Sequence, residues 1–245
     1  MNKPIGVQLY SVRLQAAKDL PGVLNHLRDM GFKGVELAGL HGRKPAEFRQ
    51  LVKDTGMEII SSHVPFPSPS QSIDTLMEEQ QALGVRDLVV SCPSKMFQNR
   101  ADFDAEVNTV NVFAKKLAAA GMTLHLHNHA HEFSSRLDGQ SGFECLLANA
   151  NPSIHFELDL YWLQTGGGNA QTVAAQAGQR IHFLHVKDGP CVAGEPMTAL
   201  GQGKVNIPAA LSLFPWVPWH IIEIDACAGD MMDALRESIR YLEIN

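Results

Sequence analysis

A single (βα)₈ barrel is the fold this sequence predicts, and three observations predict it. Eight short apolar segments alternate with helix-length ones, glycine marks helix ends, and 245 residues is a common length for one such barrel. Length alone would also allow two domains. No linker, low-complexity tract or long charge run divides the chain, so residues 1–245 read as one domain.

The elements follow in order. Residues 5–10 open the chain as a first strand, and a helix-length stretch carries Pro21 near its start, where a missing N–H costs little. That helix stops at Met30-Gly31-Phe32, and residues 34–37 form strand two. Thr55-Gly56-Met57, Leu83-Gly84-Val85 and Ala120-Gly121-Met122 end the next three helices. They precede strands over residues 57–63, 87–91 and 123–128. Glycine suits these ends because the residue after a helix often needs positive φ, which a Cβ disfavours. The second half continues with strands over 153–159, 181–187 and 220–225. Helices near 142–150, 170–177, 207–213 (Pro208 near its start) and 230–242 separate or follow them.

Composition removes several function classes. Hydrophobic residues are 45% and charged residues 19%, which suits a globular protein. With 20 Lys+Arg against 26 Asp+Glu the net charge is −6, so no global basic stripe is present to grip a nucleic acid. Cys92, Cys145, Cys191 and Cys227 are scattered without a C-x-x-C pair, which argues against a zinc ribbon or disulfide scaffold and for reduced thiols. Met1-Asn2-Lys3-Pro4 leads directly into the first strand with no signal-peptide core. No apolar run approaches the roughly 18 residues of a membrane span. The expected location is the cytoplasm, with no membrane partner.

Strand parity carries the chemistry. In Leu124-His125-Leu126-His127-Asn128-His129 alternate residues face opposite sides, so the leucines meet the helices while the histidines point inward. The same rule turns His155, Glu157 and Asp159 inward, pairs His185 with Lys187, and groups Glu223 with Ile221 and Asp225. His125 and His155 lie deeper and read as structural, with Glu157 as a hydrogen-bond partner. Gly166-Gly167-Gly168 lacks the Lys-Ser/Thr of a phosphate loop and reads as a turn. Polar groups thus gather at the C-terminal strand ends, where barrels of this kind build active sites. Glu132, Asp159, His185 and Glu223 form an oxygen-rich set suited to Mn²⁺, Mg²⁺ or Co²⁺. Such an ion lowers the pKa of a neighbouring C–H or O–H, and a ligating carboxylate on each side can move the proton.

Six pieces in order resemble the sugar phosphate isomerase/epimerase family, the xylose-isomerase-like or AP-endonuclease-2-like barrels. They are Gly6-Val7-Gln8-Leu9-Tyr10-Ser11-Val12-Arg13, Gly34-Val35-Glu36-Leu37, His127-Asn128-His129-Ala130-His131-Glu132-Phe133, Glu157-Leu158-Asp159-Leu160-Tyr161-Trp162, His185-Val186-Lys187-Asp188 and Ile222-Glu223-Ile224-Asp225. The resemblance implies one divalent ion, Mn²⁺ favoured, held by Glu, Asp, His and Glu on strands five to eight. Asp159, His185 and Glu223 take the last three places. Many relatives carry Glu where His127 stands, so the first falls to Glu132, which restores the carboxylate count, with His127 as its rival. If His127 binds, zinc gains ground.

The resemblance also makes Glu132 and Glu223 the acid–base pair, with His127 a further catalytic group. Substrate contacts fall to Glu36, His63, His129, Lys187 and Trp162. The implied activity is sugar or polyol isomerisation or epimerisation through a metal-stabilised enediolate. The alternative is a lyase or dehydratase acting on a keto-inositol or 3-keto-sugar. An abasic-site endonuclease is less well supported, since strand four ends in Ser91-Cys92-Pro93 without a histidine ligand. The expected partner is a small carbohydrate. No cluster of Arg and Lys marks a phosphate clamp, and relatives form homo- or hetero-oligomers.

Overall fold

In the computed structural model, eight parallel strands close on themselves. They are β1 (Ile5–Gln8), β2 (Gly34–Ala38), β3 (Glu58–His63), β4 (Asp87–Ser91), β5 (Thr123–His127), β6 (His155–Asp159), β7 (Ile181–Val186) and β8 (His220–Ile222). β1 closes the ring between β2 and β8. The structure describes residues 3–68 and 72–244, so Met1 and Asn2 lie outside it. Helices α1 (Arg13–Met30), α2 (Pro45–Thr55), α3 (Ile73–Leu83) and α4 (Arg100–Ala119) connect the first five strands. Beyond β5 come α5 (His131–Ser134), α6 (Gly142–Asn149), α7 (Leu160–Thr165), α8 (Ala170–Ala177), α9 (Ile207–Ser212) and α10 (Met231–Ile244). Among the described residues no helix is long and apolar enough to cross a membrane.

Local chemistry sets the boundaries. Gly31 ends α1 at φ 110°, in the left-handed region that favours glycine. Helix α1 breaks at Asp19, whose Oδ1 accepts from Gly22 N at 3.0 Å, so Pro21 restarts the helix where its missing N–H does no harm. Strands one, seven and eight are shorter than the sequence pattern predicts, ending at Gln8, Val186 and Ile222. Past strands one and eight, side chains take over from the ladder: Tyr10 N donates to Gln8 Oε1 at 3.0 Å and Ile224 N to Ser11 Oγ at 2.9 Å. The segment after β5 holds two features with no clear apolar period, the single turn α5 and a hairpin pairing Arg136–Leu137 with Gln140–Ser141.

Two apolar layers position the site. Outward residues Val7, Val35, Leu37, Leu124 and Leu126 join the main core with Leu24 of α1 and Phe113 of α4. Each such buried side chain contributes about 1.5–3 kcal/mol. Inside the barrel, Ile60, Phe183 and Ile221 form a separate apolar floor. Ile60 lies over Gly6 and Gly34, where an added Cβ would come within 2.3 and 2.8 Å of it. Polar side chains stand above this floor, toward the C-terminal strand ends. One wall is tied down by Asp188, buried just after β7, whose carboxylate accepts from the backbone N–H of Gly189, Gly201, Gly203 and Val205 at 2.8–3.0 Å.

Candidate active site

Register brings the chemistry together before any side chain turns. The β5–β6 ladder sets His127 beside Glu157, and the β6–β7 ladder sets Asp159 beside His185. Because side chains alternate, these residues and Glu223, just past β8, rise from the same inner face.

The inward groups form two carboxylate tiers with imidazoles between them. The lower tier is Glu36 and Glu157, both fully buried. Glu36 accepts from Gln8 Nε2 at 2.7 Å and from Ser61 Oγ. Its Oε1 lies 2.6 Å from His185 Nε2, while Glu157 Oε2 meets His63 Nε2 at 2.8 Å and His127 Nδ1 at 3.0 Å. The upper tier is Asp159 and Glu223. His185 turns Nδ1 to within 2.9 Å of Glu223 Oε2, and His127 turns Nε2 toward Asp159 Oδ2 at 3.9 Å. Each of these two rings therefore has one nitrogen on each tier. A ring that donates its N–H downward keeps a lone pair for a cation above, the carboxylate–histidine–metal arrangement.

Asp159 is held from both sides. Asn128 Oδ1 accepts from its backbone N at 2.9 Å, and its own Oδ1 caps α7 by accepting from Trp162 N at 2.8 Å. The other oxygen, Oδ2, is buried and makes no hydrogen bond, as is His185 Nδ1. Both have a charged neighbour at 2.9 Å, but off the line of a hydrogen bond. His127, Asp159, His185 and Glu223 present ligand atoms that all lie within 4.8 Å of one another. Four buried carboxylates here (Glu36, Glu157, Asp159, Glu223) gather around the Lys187 ammonium and the imidazoles of His63, His127 and His185, a cluster that burial makes costly unless every member is paired. The donor set and the orphaned atoms fit a divalent cation. The lower atoms His63, His127, Glu157 and His185 are grouped as closely, but an imidazole that binds an ion through one nitrogen keeps the proton on the other.

Charge states follow from these neighbours. Burial pulls His63 down, but Glu36 and Glu157 outweigh it and push its pKa up to about 10. Burial likewise opposes the charge on His185, and Glu157, Glu36 and Glu223 reverse it, raising the pKa. Burial raises Asp159 to about 6 against the pull of Lys187. Glu223 would rise with burial, yet Lys187 and His185 hold it well below the usual carboxylate range. His129 is lowered to about 4 by burial and by Lys187, so it is neutral near pH 7.

A cavity of about 350 Å³ opens over the upper tier, and its lining includes Gln8, Tyr10, His63, His127, His129, Trp162, Lys187, Glu223 and Asp225. Of the residues the sequence offers as site candidates, His63, His127, His129, Lys187, Trp162 and Glu223 reach this cavity, with Asp159 and His185 at its base in the ligand group. Two differ. Glu36 lies in the lower tier, turned to His185 and Ser61, and is absent from the cavity wall. Glu132 groups instead with His129 and His131. The single turn α5 carries it back over its own start, where Oε2 accepts from His129 N at 2.8 Å and Oε1 lies 3.2 Å from His131 Nε2. His125 pairs with Asp87 at 2.9 Å, not with Glu157. Sequence reasoning left out Ser61, Asn128 and Tyr10. Asn128 was legible as the polar residue flanked by His127 and His129, whereas Ser61 carried no signal.

The sequence model of the xylose isomerase-like TIM barrel family matches residues 24–243. No curated protein matches the chain. Among solved structures, two described as sugar phosphate isomerase/epimerase, both from Parabacteroides distasonis ATCC 8503, are similar. One has TM-score 0.83 at 21% identity, covering 99% of this chain and 98% of that one. The other has TM-score 0.78 at 22% identity, covering 98% and 93%. The probable 3-DHS dehydratase AsbF involved in petrobactin synthesis, from Bacillus anthracis, has TM-score 0.76 at 16% identity, covering 98% of each chain. At these identities the likeness establishes the fold.

Proposed function

The chain belongs to the xylose isomerase-like TIM barrel family, and from that premise we propose that it is a metal-dependent isomerase or epimerase moving protons on a sugar or sugar-like polyol. The observation that carries this is the convergence of His127, Asp159, His185 and Glu223 at the base of one cavity. These four would hold the ion, Mn²⁺ being favoured; with two imidazoles and two carboxylates, Zn²⁺ is a stronger alternative than with three carboxylates. When bound, the ion supplies Lewis acidity that lowers the pKa of a neighbouring C–H or O–H.

The chain's own residues do the rest. Glu223 and His129 line the cavity, rising from the ends of β8 and β5, and take and return the proton. Glu132 acts through the backbone N–H of His129, fixing that loop. Glu36 and Glu157 fix the tautomers of His185 and His127. Trp162 and Tyr10 offer apolar faces to ring C–H groups. Among the described residues the cavity lining contains one lysine and no arginine, which supports a polyol without a phosphate. Two fold relatives are described as sugar phosphate isomerase/epimerase, which supports the reaction class.

A second reading, a lyase or dehydratase, rests on His63. Its imidazolium at the cavity wall is a proton source for a departing hydroxyl. Incubation of the Mn²⁺-loaded protein with keto-sugars in deuterated water separates the two. Deuterium at carbon with the substrate's mass otherwise retained supports isomerisation; loss of water or an aglycone supports elimination. Neither outcome across ketoses, 3-keto-sugars and keto-inositols would sink both.

A further inference from the structure

Lys187 follows β7 directly, and its side chain is 1% exposed. Its ammonium lies 2.9 Å from Asp159 Oδ2 and 2.5 Å from Glu223 Oε2, the carboxylate oxygens of two of the four residues assigned to the ion. A divalent ion held by those residues would compete with the ammonium for the same two carboxylate oxygens, two like charges drawn to one pair of acceptors. Lys187 has a third partner outside the ligand group: Asp225 Oδ1 at 3.0 Å. Asp225 is 27% exposed on the cavity wall, and Trp162 Nε1 fixes its other oxygen at 3.1 Å. The ammonium therefore has a carboxylate on which it can remain when the other two are taken.

Resting on the metal-dependent reading above, we propose that Lys187 is a displaceable counter-cation. Without the ion it neutralises Asp159 and Glu223. When a divalent ion takes those oxygens, the ammonium keeps only Asp225 and turns its remaining N–H groups into the cavity. There it meets the substrate oxygen on which negative charge develops, within reach of Trp162, whose ring lies 5.9 Å from it. One residue thus protects the empty carboxylate pair and serves the substrate, and the ion switches it between the two tasks. A fixed brace, which would support Asp159 and Glu223 in both states, makes the opposite prediction for ion affinity.

Isothermal titration of the purified protein with Mn²⁺ decides between them. Lys187→Met removes the competitor and should tighten binding by about tenfold or more, the size of a typical coupling between linked events. Lys187→Arg keeps a cation and should not tighten it. Asp225→Asn removes the carboxylate to which the ammonium retreats and should weaken binding, opposite in sign to Lys187→Met. Weaker or equal binding by Lys187→Met overturns the displacement while leaving the metal centre intact. Absence of Mn²⁺ binding to every form, wild type included, overturns the centre itself. Should Lys187→Met not fold, a crystal structure of the wild type with Mn²⁺ gives the answer. The ammonium must lie beyond about 4 Å, the reach of an ion pair, from Asp159 Oδ2 and Glu223 Oε2 while still paired with Asp225. An ammonium remaining on all three carboxylates refutes the proposal.

Discussion

Replacing Glu157 by Gln tests whether the lower tier holds the metal ligands in place. The substitution keeps the shape and one acceptor oxygen but removes the charge. Glu157 Oε2 meets His127 Nδ1 at 3.0 Å and stands 3.2 Å from His185 Nε2, two of the rings assigned to the ion. A hydrogen bond to a charged acceptor is worth about 1.5–3 kcal/mol and a neutral one about 0.5–1.5, so each contact loses about 1 kcal/mol. Only the contact with His127 is such a bond, since His185 Nε2 is taken by Glu36, so the loss is about 1 kcal/mol, or roughly fivefold in ion affinity. Isothermal titration with Mn²⁺, alongside a thermal melt to verify folding, reads the effect. Unchanged or tighter binding by a folded Glu157→Gln protein would refute the two-tier account.

Three further outcomes follow from other parts of the structure. Asp188→Ala strips the acceptor from four backbone N–H groups of the loop after β7 and should destabilise the protein by at least about 3 kcal/mol, measured by urea unfolding; a loss below about 1 kcal/mol would show that the clamp is dispensable. Gly6→Ala puts a methyl 2.3 Å from Ile60 Cδ1 and should cost about 1–3 kcal/mol, while the double variant with Ile60→Val, which lacks that atom, should recover most of the loss. Additive losses in that pair would contradict the packing of the floor. Burial lowers His155 and His220 from 6.5 to about 4, in the same direction as the neighbours His125, His182 and Arg180 for the first and Lys3 for the second. The unfolded chain takes up those protons near pH 6.5 and the fold refuses them until about pH 4, so their contribution is full above pH 6.5 and is lost as pH falls to 4. His155→Gln and His220→Gln should each flatten the fall of the urea midpoint between about pH 7 and 4.5, and a wild-type slope in both would dismiss these residues as its source.

The barrel was legible because period and punctuation agree. Alternating Leu and His in residues 124–129 can only be a strand with one polar face, and Gly31 and Gly84 end helices with positive φ. Asp159, His185 and Glu223 were legible as acid and imidazole groups at strand ends, where parity alone sends them inward. The first member of the proposed ligand group was not. His127 and Glu132 are five residues apart and chemically plausible alike, and the difference is the single turn α5, which folds Glu132 onto the N–H of His129. A four-residue helix has no periodicity to announce it. Glu36 sits on the expected inner face, but depth along the strand, which separates a residue that contacts substrate from one that orients His185, is set by barrel stagger between distant strands. The pairing of Lys187 with three carboxylates depends on strands six, seven and eight at once, beyond what any local pattern encodes.

The most direct measurement is anomalous diffraction from crystals grown with Mn²⁺. The account predicts one ion per chain bonded to His127 Nε2, Asp159 Oδ2, His185 Nδ1 and Glu223, with Glu36 and Glu157 accepting from the far nitrogens of the two rings. An ion bound by Glu132 with His129 and His131, or no anomalous peak over the barrel floor, would contradict it.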